Sequence, residues 1–138
     1  MAETKVMALR EAINLAQSEE MRKDEKVFLM GEDVGIYGGD FGTSVGMLDE
    51  FGPKRVRDTP ISEAAIAGSA VGAAQTGLRP IVDLTFMDFI TIALDAIVNQ
   101  AAKTNYMFGG GLKTHVTFRV ASGSGIGSAE QHSPSLEA

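Results

Sequence analysis

Short strand-like runs, all but the second of them mainly apolar, alternate with helical patterns along this chain, and this alternation is the feature that most constrains its fold. The runs span residues 27–30, 55–58, 80–84 and 115–120. Strands that alternate with helices are typical of a parallel sheet whose two faces are both covered. We therefore predict an α/β fold in which a parallel sheet carries helices on both faces.

Three helices are predicted from apolar spacing and from helix-ending residues. The first begins after Thr4, a candidate N-cap, and continues to about Lys23. Its apolar stripe consists of Val6, Leu9, Ile13 and Ala16. A short helix is expected over 43–51, where Gly52-Pro53 ends it, and an apolar helix over 89–103.

A fourth helix, over residues 62–77, is made almost wholly of small residues. Ser62 is its candidate N-cap and Gly77 ends it. Such a helix cannot fill a groove with bulk, so we expect it to let another backbone come close. Near the end of the chain, Ser133 as N-cap and Pro134 at the first helical position predict a further helix. The sequence stops within that helix, which we interpret as the mark of a fragment.

Charge and composition exclude several classes of function. The 18 acidic and 12 basic residues give a net charge of −6, which disfavours nucleic acids and anionic membranes as partners. The chain has no cysteine, which excludes disulfide scaffolds, thiolate catalysis and zinc–thiolate sites. It also begins without the apolar stretch of a signal peptide, so we expect a cytoplasmic protein.

Glu63 is the strongest candidate for a catalytic residue. It lies in the first turn of the small-residue helix, in the charge-poor segment 59–102, and its neighbours are apolar. Such surroundings disfavour the ionised form and would keep a carboxyl group available as a proton donor. A favourable interaction with the helix dipole explains the same residue equally well. The residues alone leave both interpretations open.

Two further features lie near the end of the chain. His132 follows a glycine-rich loop and is a candidate proton shuttle, although a surface histidine is the commoner case. The loop GSGIGS at 123–128 partly matches the G-x-G-x-x-G pattern of dinucleotide-binding folds, but Ser128 replaces the last glycine. A Rossmann-type reductase is therefore one alternative, and a non-catalytic interaction domain is another.

Six longer segments agree, in order, with a single family. They are MALREAIN (7–14), FLMGEDVGIYGG (28–39), FGPKRVRDTPISEAAIAGSAVGAA (51–74), GLRPIVDLTFMDF (77–89), NQAAKTNYMFGG (99–110) and QHSPSLEA (131–138). Together they resemble the N-terminal, pyrimidine-binding domain of the β subunit of thiamine-diphosphate-dependent 2-oxo acid and acetoin dehydrogenases. The resemblance covers residues 1–138 as one transketolase-like domain, without the family's C-terminal domain. LTFMDFI and the loop ASGSGIGS look most like the acetoin branch, while pyruvate and branched-chain members share the frame.

The resemblance implies roles for individual residues. In relatives, the glutamate that matches Glu63 hydrogen-bonds a ring nitrogen of the cofactor's aminopyrimidine and so assists deprotonation of the thiazolium ring. Phe89 matches the aromatic residue that packs on the pyrimidine, the backbone around Ile61 lies beside that ring, and Glu32 supports the same network. His132 matches a histidine that faces the thiazolium end and assists proton transfer or lipoyl docking.

The resemblance also implies a cofactor and partners. Thiamine diphosphate would be shared with an α subunit, which holds the diphosphate through magnesium in a two-alpha, two-beta heterotetramer. A potassium ion would bind partly through the main-chain carbonyl that aligns with Val116. The acyl group would pass to a lipoyl-bearing dihydrolipoyl acyltransferase. The domain alone should be catalytically incompetent, because it lacks the α partner.

Overall fold

The protein folds around a four-stranded parallel sheet. A computed structural model describes residues 4–123, 125 and 127–137. The strands are β1 (Val27–Gly31), β2 (Val56–Asp58), β3 (Arg79–Phe86) and β4 (Thr117–Ala121). Their order in the sheet is β2-β1-β3-β4, and all three pairings are parallel. The predicted parallel sheet is confirmed, with strand bounds that differ from the predicted ones by one or two residues.

The main helices are α1 (Leu9–Lys23), α2 (Met47–Phe51) and α3 (Glu63–Gln75). A continuous helical segment then follows β3. It begins as a 3₁₀ turn (Met87–Phe89) and continues as α4 (Ile90–Leu94), a π-helix (Asp95–Ala101) and α5 (Ala102–Met107). The predicted single helix over 89–103 is therefore longer and less regular than expected. None of the helices in the described part of the chain has the length and apolar character that spanning a membrane requires.

Both faces of the sheet are covered, as predicted. One apolar cluster joins β1 and β3 to α3 and α4 through residues such as Phe28, Ile66 and Leu84. The other joins β1 and β2 to α1 and α2 through residues such as Met21, Leu29 and Met47. Burial on both sides explains why β1 and most of β3 are apolar runs, whereas β2 and β4, at the two edges of the sheet, are less buried and more polar.

The structure corrects the start and the buried face of α1. The N-cap is Ala8, not Thr4, because the Glu11 carboxylate accepts a hydrogen bond of 2.9 Å from the Ala8 N–H and fixes the first turn there. The predicted apolar stripe is not the buried face: Val6 and Leu9 are exposed, as is Ala16. A different face of the helix, held by a polar contact, packs against the rest of the protein. Its buried residues are Gln17, Ser18 and Met21, and Gln17 Nε2 donates to the Thr43 carbonyl at 2.9 Å.

Two capping predictions were wrong in detail. Ser62 occupies the N-cap of α3, but its side chain makes no capping hydrogen bond. Ser133 and Pro134 do not begin a helix, since the described residues 133–137 are irregular and only a 3₁₀ turn, Glu130–His132, precedes them. The short helix also begins at Met47 and not at 43, because Gly46 at its N-cap adopts a left-handed conformation that a helix cannot continue through.

One close contact between backbones joins β1 to β3. Gly31 pairs with Asp83, and a Cβ atom placed on Gly31 would lie 2.5 Å from the Asp83 carbonyl oxygen. Both atoms belong to paired strands, so neither can move away without breaking the ladder. Glycine at the end of β1 is therefore required for the two central strands to meet.

We expect Gly31→Ala to lower the free energy of unfolding by about 1–3 kcal/mol, because the added methyl group overlaps a backbone atom. The matched variant is Gly72→Ala, on the exposed side of α3, where no atom lies within 4 Å of an added Cβ. It should raise stability by up to about 1 kcal/mol, since alanine favours a helix more than glycine does. Urea denaturation of both variants measures the difference, and equal stability of Gly31→Ala and the native protein would contradict the close contact.

Candidate functional site

Most of the predicted site residues meet at the carboxyl edge of the sheet. Glu32 directly follows β1, Glu63 begins the helix after β2, Phe89 follows β3, and His132 follows β4. The chain leaves β1 toward β2 on one side and returns to β3 on the other, so β1 and β3 form the switch point of the sheet. Open α/β sheets bind ligands in the crevice outside that point. The topology therefore gathers the candidate residues where a ligand site is expected.

Two carboxyl groups lie at this edge, one on a buried residue and one on a partly buried residue. Glu63 is only 7% exposed at the start of α3, and Glu32 Oε1 is buried without a hydrogen-bond partner among the described residues. Burial raises the pKa of Glu32, and the Glu63 carboxylate raises it further, while the Ser62 backbone amide works in the opposite direction. The two glutamates thus act on each other, and Glu32 holds its proton more tightly than an exposed glutamate does.

A cluster of four aromatic rings lies at the same edge. Phe86 is at its centre, with ring centroids 4.2 Å from His132, 5.5 Å from Phe41 and 6.1 Å from Phe89, each in an edge-to-face arrangement. Phe89 and His132 are 5.7 Å apart. Edge-to-face packing fixes the plane of each ring. The cluster therefore brings together two predicted site residues, Phe89 and His132, and a cavity of about 120 Å³ borders the His132 side of it.

An ion pair in the sheet was not anticipated from the sequence. Asp83 on β3 pairs directly with Arg119 on β4, and both side chains are largely buried. Burial raises the pKa of Asp83, against the lowering effect of Arg119, and burial likewise lowers the pKa of Arg119. The Asp40 carboxylate raises the pKa of both Asp83 and Glu32, so Asp40 lies within electrostatic range of both. The sequence signal was present: Asp83 is an acidic residue inside an otherwise apolar strand.

The glycine-rich segment after β1, residues 31–42, is anchored by hydrogen bonds from its backbone N–H groups. The Gly35 N–H donates to Asp58 Oδ1 at 2.6 Å, and the Gly39 N–H donates to the Asp33 carbonyl at 2.8 Å. A Cβ atom on Gly35 would lie 2.4 Å from the Asp58 carboxylate, so glycine allows this close approach. The segment carries Asp40 and Phe41, and its anchoring holds both of them at the carboxyl edge.

Two further predicted positions lie outside the aromatic cluster. The Ile61 side chain is 81% exposed two residues before Glu63, and the role of its backbone beside a ligand stays a prediction. Val116 precedes β4 and therefore lies at the amino edge of the sheet, opposite the glutamates, where it lines a separate cavity beside His115. A potassium ion held by the Val116 carbonyl stays a prediction, and that position would make it remote from the chemistry.

The dinucleotide-binding alternative is not favoured by the described residues. Ser124 and Ile126 of the loop 123–128 lie outside them. The segment that follows contains a single 3₁₀ turn, Glu130–His132, where a dinucleotide-binding fold needs the N-terminus of an α-helix to receive the pyrophosphate. The described residues 127–137 provide no such helix.

Comparison with known proteins identifies the family of this chain. Residues 5–138 match the family described as "Transketolase, pyrimidine binding domain". The β-2 subunit of the mitochondrial pyruvate dehydrogenase E1 component of Oryza sativa subsp. japonica is 50% identical over 132 residues, which are 96% of this chain and 35% of that protein. The β subunit of the acetoin:2,6-dichlorophenolindophenol oxidoreductase of Bacillus subtilis (strain 168) is 46% identical over 144 residues, covering 96% of this chain and 42% of that one.

A solved structure shows the same fold at lower identity. It is titled "Split gene transketolase, inactive beta4 tetramer" and matches with a TM-score of 0.63 and 22% sequence identity, over 86% of this chain and 35% of that chain. At this identity the likeness concerns the fold alone. The chain spans 35–42% of the length of the curated relatives described above.

The raised pKa of Glu32 predicts a specific pH dependence. The folded protein binds this proton more tightly than the unfolded chain, so the contribution to stability is fully present below the ordinary pKa of 4.5 and is lost as pH rises through the folded-state value. We expect Glu32→Gln to remove this loss and to be more stable than the native protein at neutral pH, by less than about 1 kcal/mol because solvent screens the partly buried group.

Urea denaturation between about pH 4 and about pH 8 measures this difference. Glu25→Gln is the matched control, because Glu25 is exposed in the turn before β1 and should leave the pH profile unchanged. A Glu32→Gln variant that keeps the native pH slope would contradict the assignment.

Proposed function

The chain belongs to the transketolase pyrimidine-binding domain family, and from that membership we infer that it is the pyrimidine-binding part of the β subunit of a thiamine-diphosphate-dependent dehydrogenase component. Two relatives of 46–50% identity are β subunits, one of a pyruvate dehydrogenase and one of an acetoin oxidoreductase. We propose that the complete enzyme cleaves acetoin or decarboxylates a 2-oxo acid and transfers the acyl group to lipoamide. The acetoin branch is favoured by the resemblance of LTFMDFI and of the loop after β4.

The residues at the carboxyl edge fit an aminopyrimidine. Buried polar atoms are nearly always hydrogen-bonded, so the unpartnered Glu32 Oε1 calls for a donor from outside the described residues. An aminopyrimidine carries both ring nitrogen acceptors and an exocyclic N–H₂ donor, which complement one protonated and one ionised carboxyl group. Phe89 supplies an aromatic face at the same edge.

Glu63 is the residue on which the proposed chemistry depends. Thiamine diphosphate, when bound, supplies a thiazolium carbon that becomes a nucleophile and stabilises the carbanion formed on the substrate. Glu63 would hold a proton on its carboxyl group and share it with a ring nitrogen of the pyrimidine. Glu63 is buried, which limits exchange of that shared proton with water.

His132 has a different task in this proposal. Its ring is fixed against Phe86 and Phe89 beside a cavity of about 120 Å³ that is open to a small substrate. Imidazole is a common proton-transfer group in enzymes. We assign it to proton transfer during the substrate steps or to reception of the lipoyl group.

The proposed partners are the subunits that would complete the enzyme. We propose that an α subunit holds the diphosphate through magnesium, in agreement with the lack of a P-loop motif in this sequence. On α3, Ala65, Gly68 and Gly72 are exposed and present a flat surface of small residues. We propose that this surface packs against a neighbouring subunit in a two-alpha, two-beta heterotetramer. A lipoyl-bearing dihydrolipoyl acyltransferase would then accept the acyl group from this assembly.

The burial of Glu63 carries this proposal, and Glu63→Gln tests it. In the complete β chain assembled with its α subunit, we expect turnover to fall about 10²–10⁴-fold, because a proton-sharing carboxyl group is lost. Glu50→Gln, at an exposed ion pair on α2, is the control and should retain full turnover. Calorimetric titration with thiamine diphosphate gives a readout independent of turnover. Native turnover in Glu63→Gln would instead favour a non-catalytic interaction domain.

A further inference from the structure

The ladder between β3 and β4 is interrupted at one point. Pairing is regular from Ile81 to Asp83, and the register shifts before Phe86 pairs with Ala121. Thr85 lies within this irregularity with φ of +60° and is buried. A β-branched residue rarely adopts that conformation, so the surrounding structure must hold it there.

The group that holds Thr85 is the Asp83 carboxylate. Asp83 Oδ1 accepts a hydrogen bond of 3.0 Å from the Thr85 N–H, two residues further along the same strand. The other oxygen, Oδ2, is paired with the Arg119 guanidinium on β4. The carboxylate therefore links the strained residue to the neighbouring strand, and the Thr85 N–H, which the bulge withdraws from the regular ladder, keeps a partner.

The bulge decides where the next side chain points. Successive residues of a strand face opposite sides of the sheet, and an extra residue in one strand re-aims those that follow it. Phe86 follows the bulge directly. Its ring lies 4.2 Å from the ring of His132 and also contacts Phe41 and Phe89. The orientation of Phe86 therefore determines the surface against which His132 packs.

We propose that Asp83 is a positioning residue for His132, because it holds the Thr85 bulge that aims Phe86 at the histidine ring. Asp83 acts on the chemistry only through this chain of contacts. The catalytic meaning of the placement rests on the proposed function, whereas the placement itself can be measured without any cofactor.

The test is the nuclear Overhauser effect between the ring protons of His132 and those of Phe86. The chain has only two histidines, and the exposed His115 before β4 serves as the internal reference. The effect should be present in the native protein and lost in the double variant Asp83→Ala/Arg119→Met. This double variant removes both charges together and so avoids leaving one of them buried and unpaired.

A rescue variant separates positioning from general structural damage. Adding Thr85→Gly to the double variant should restore the His132–Phe86 effect, because glycine adopts a positive φ without support from a carboxylate. The single variant Asp83→Asn should also keep it, since the amide oxygen can accept the Thr85 N–H. Persistence of the effect in the double variant, or its absence from the triple variant, would overturn the proposal.

Turnover of the same variants in the complete enzyme tests the function separately. We expect a loss of about 10–100-fold in the double variant and its partial recovery in the triple variant, because a small displacement of a reacting group lowers the rate by this order. If the His132–Phe86 effect follows the expected pattern while turnover stays native, the positioning is upheld and the proposed role of His132 is wrong.

Discussion

The close approach of β1 and β3 is the contact on which the rest of this structure depends. Gly31 lies against the backbone of Asp83, and no other residue type fits there without displacing a strand. This contact joins the two central strands at the switch point of the sheet, where the chain turns in opposite directions on either side. The segment after β1 and the bulge in β3 consequently open onto the same crevice, which brings their acidic and aromatic side chains together.

The carboxyl edge combines two kinds of chemistry in neighbouring places. Buried Glu63 and half-buried Glu32 form an acidic pair beside β1, whereas the rings of Phe86, Phe89 and His132 form a cluster beyond β3. Asp40 acts electrostatically on Glu32 and on Asp83 of β3. This arrangement suits a ligand with two rings. The glutamates could share a proton with a polar ring, and the aromatic side chains could pack beside a reactive one.

The architecture was predictable from sequence because it rests on local patterns. The residues alone offered Glu63 and His132 as site candidates, and only the family resemblance added Glu32, Phe89 and Ile61. Apolar runs closed by turns predicted the parallel sheet, and a lone glutamate in a charge-poor helix pointed to Glu63. The face of α1 was not predictable, since Gln17 is buried by a hydrogen bond to a distant carbonyl and overrides the apolar stripe. Phe41 and Arg119 were missed for the same reason: their partners are far away in the sequence, and only the fold brings them together.

The buried oxygen of Glu32 connects ligand binding in the crevice to the stability of the whole domain. Folding removes this atom from water without supplying a partner among the described residues, which lowers the stability that packing alone would give the domain. A bound molecule that donates a hydrogen bond to this oxygen would restore that stability, and the melting temperature would rise with ligand concentration by mass action. A sample of this domain at low ligand concentration should then be digested by protease sooner than a saturated one.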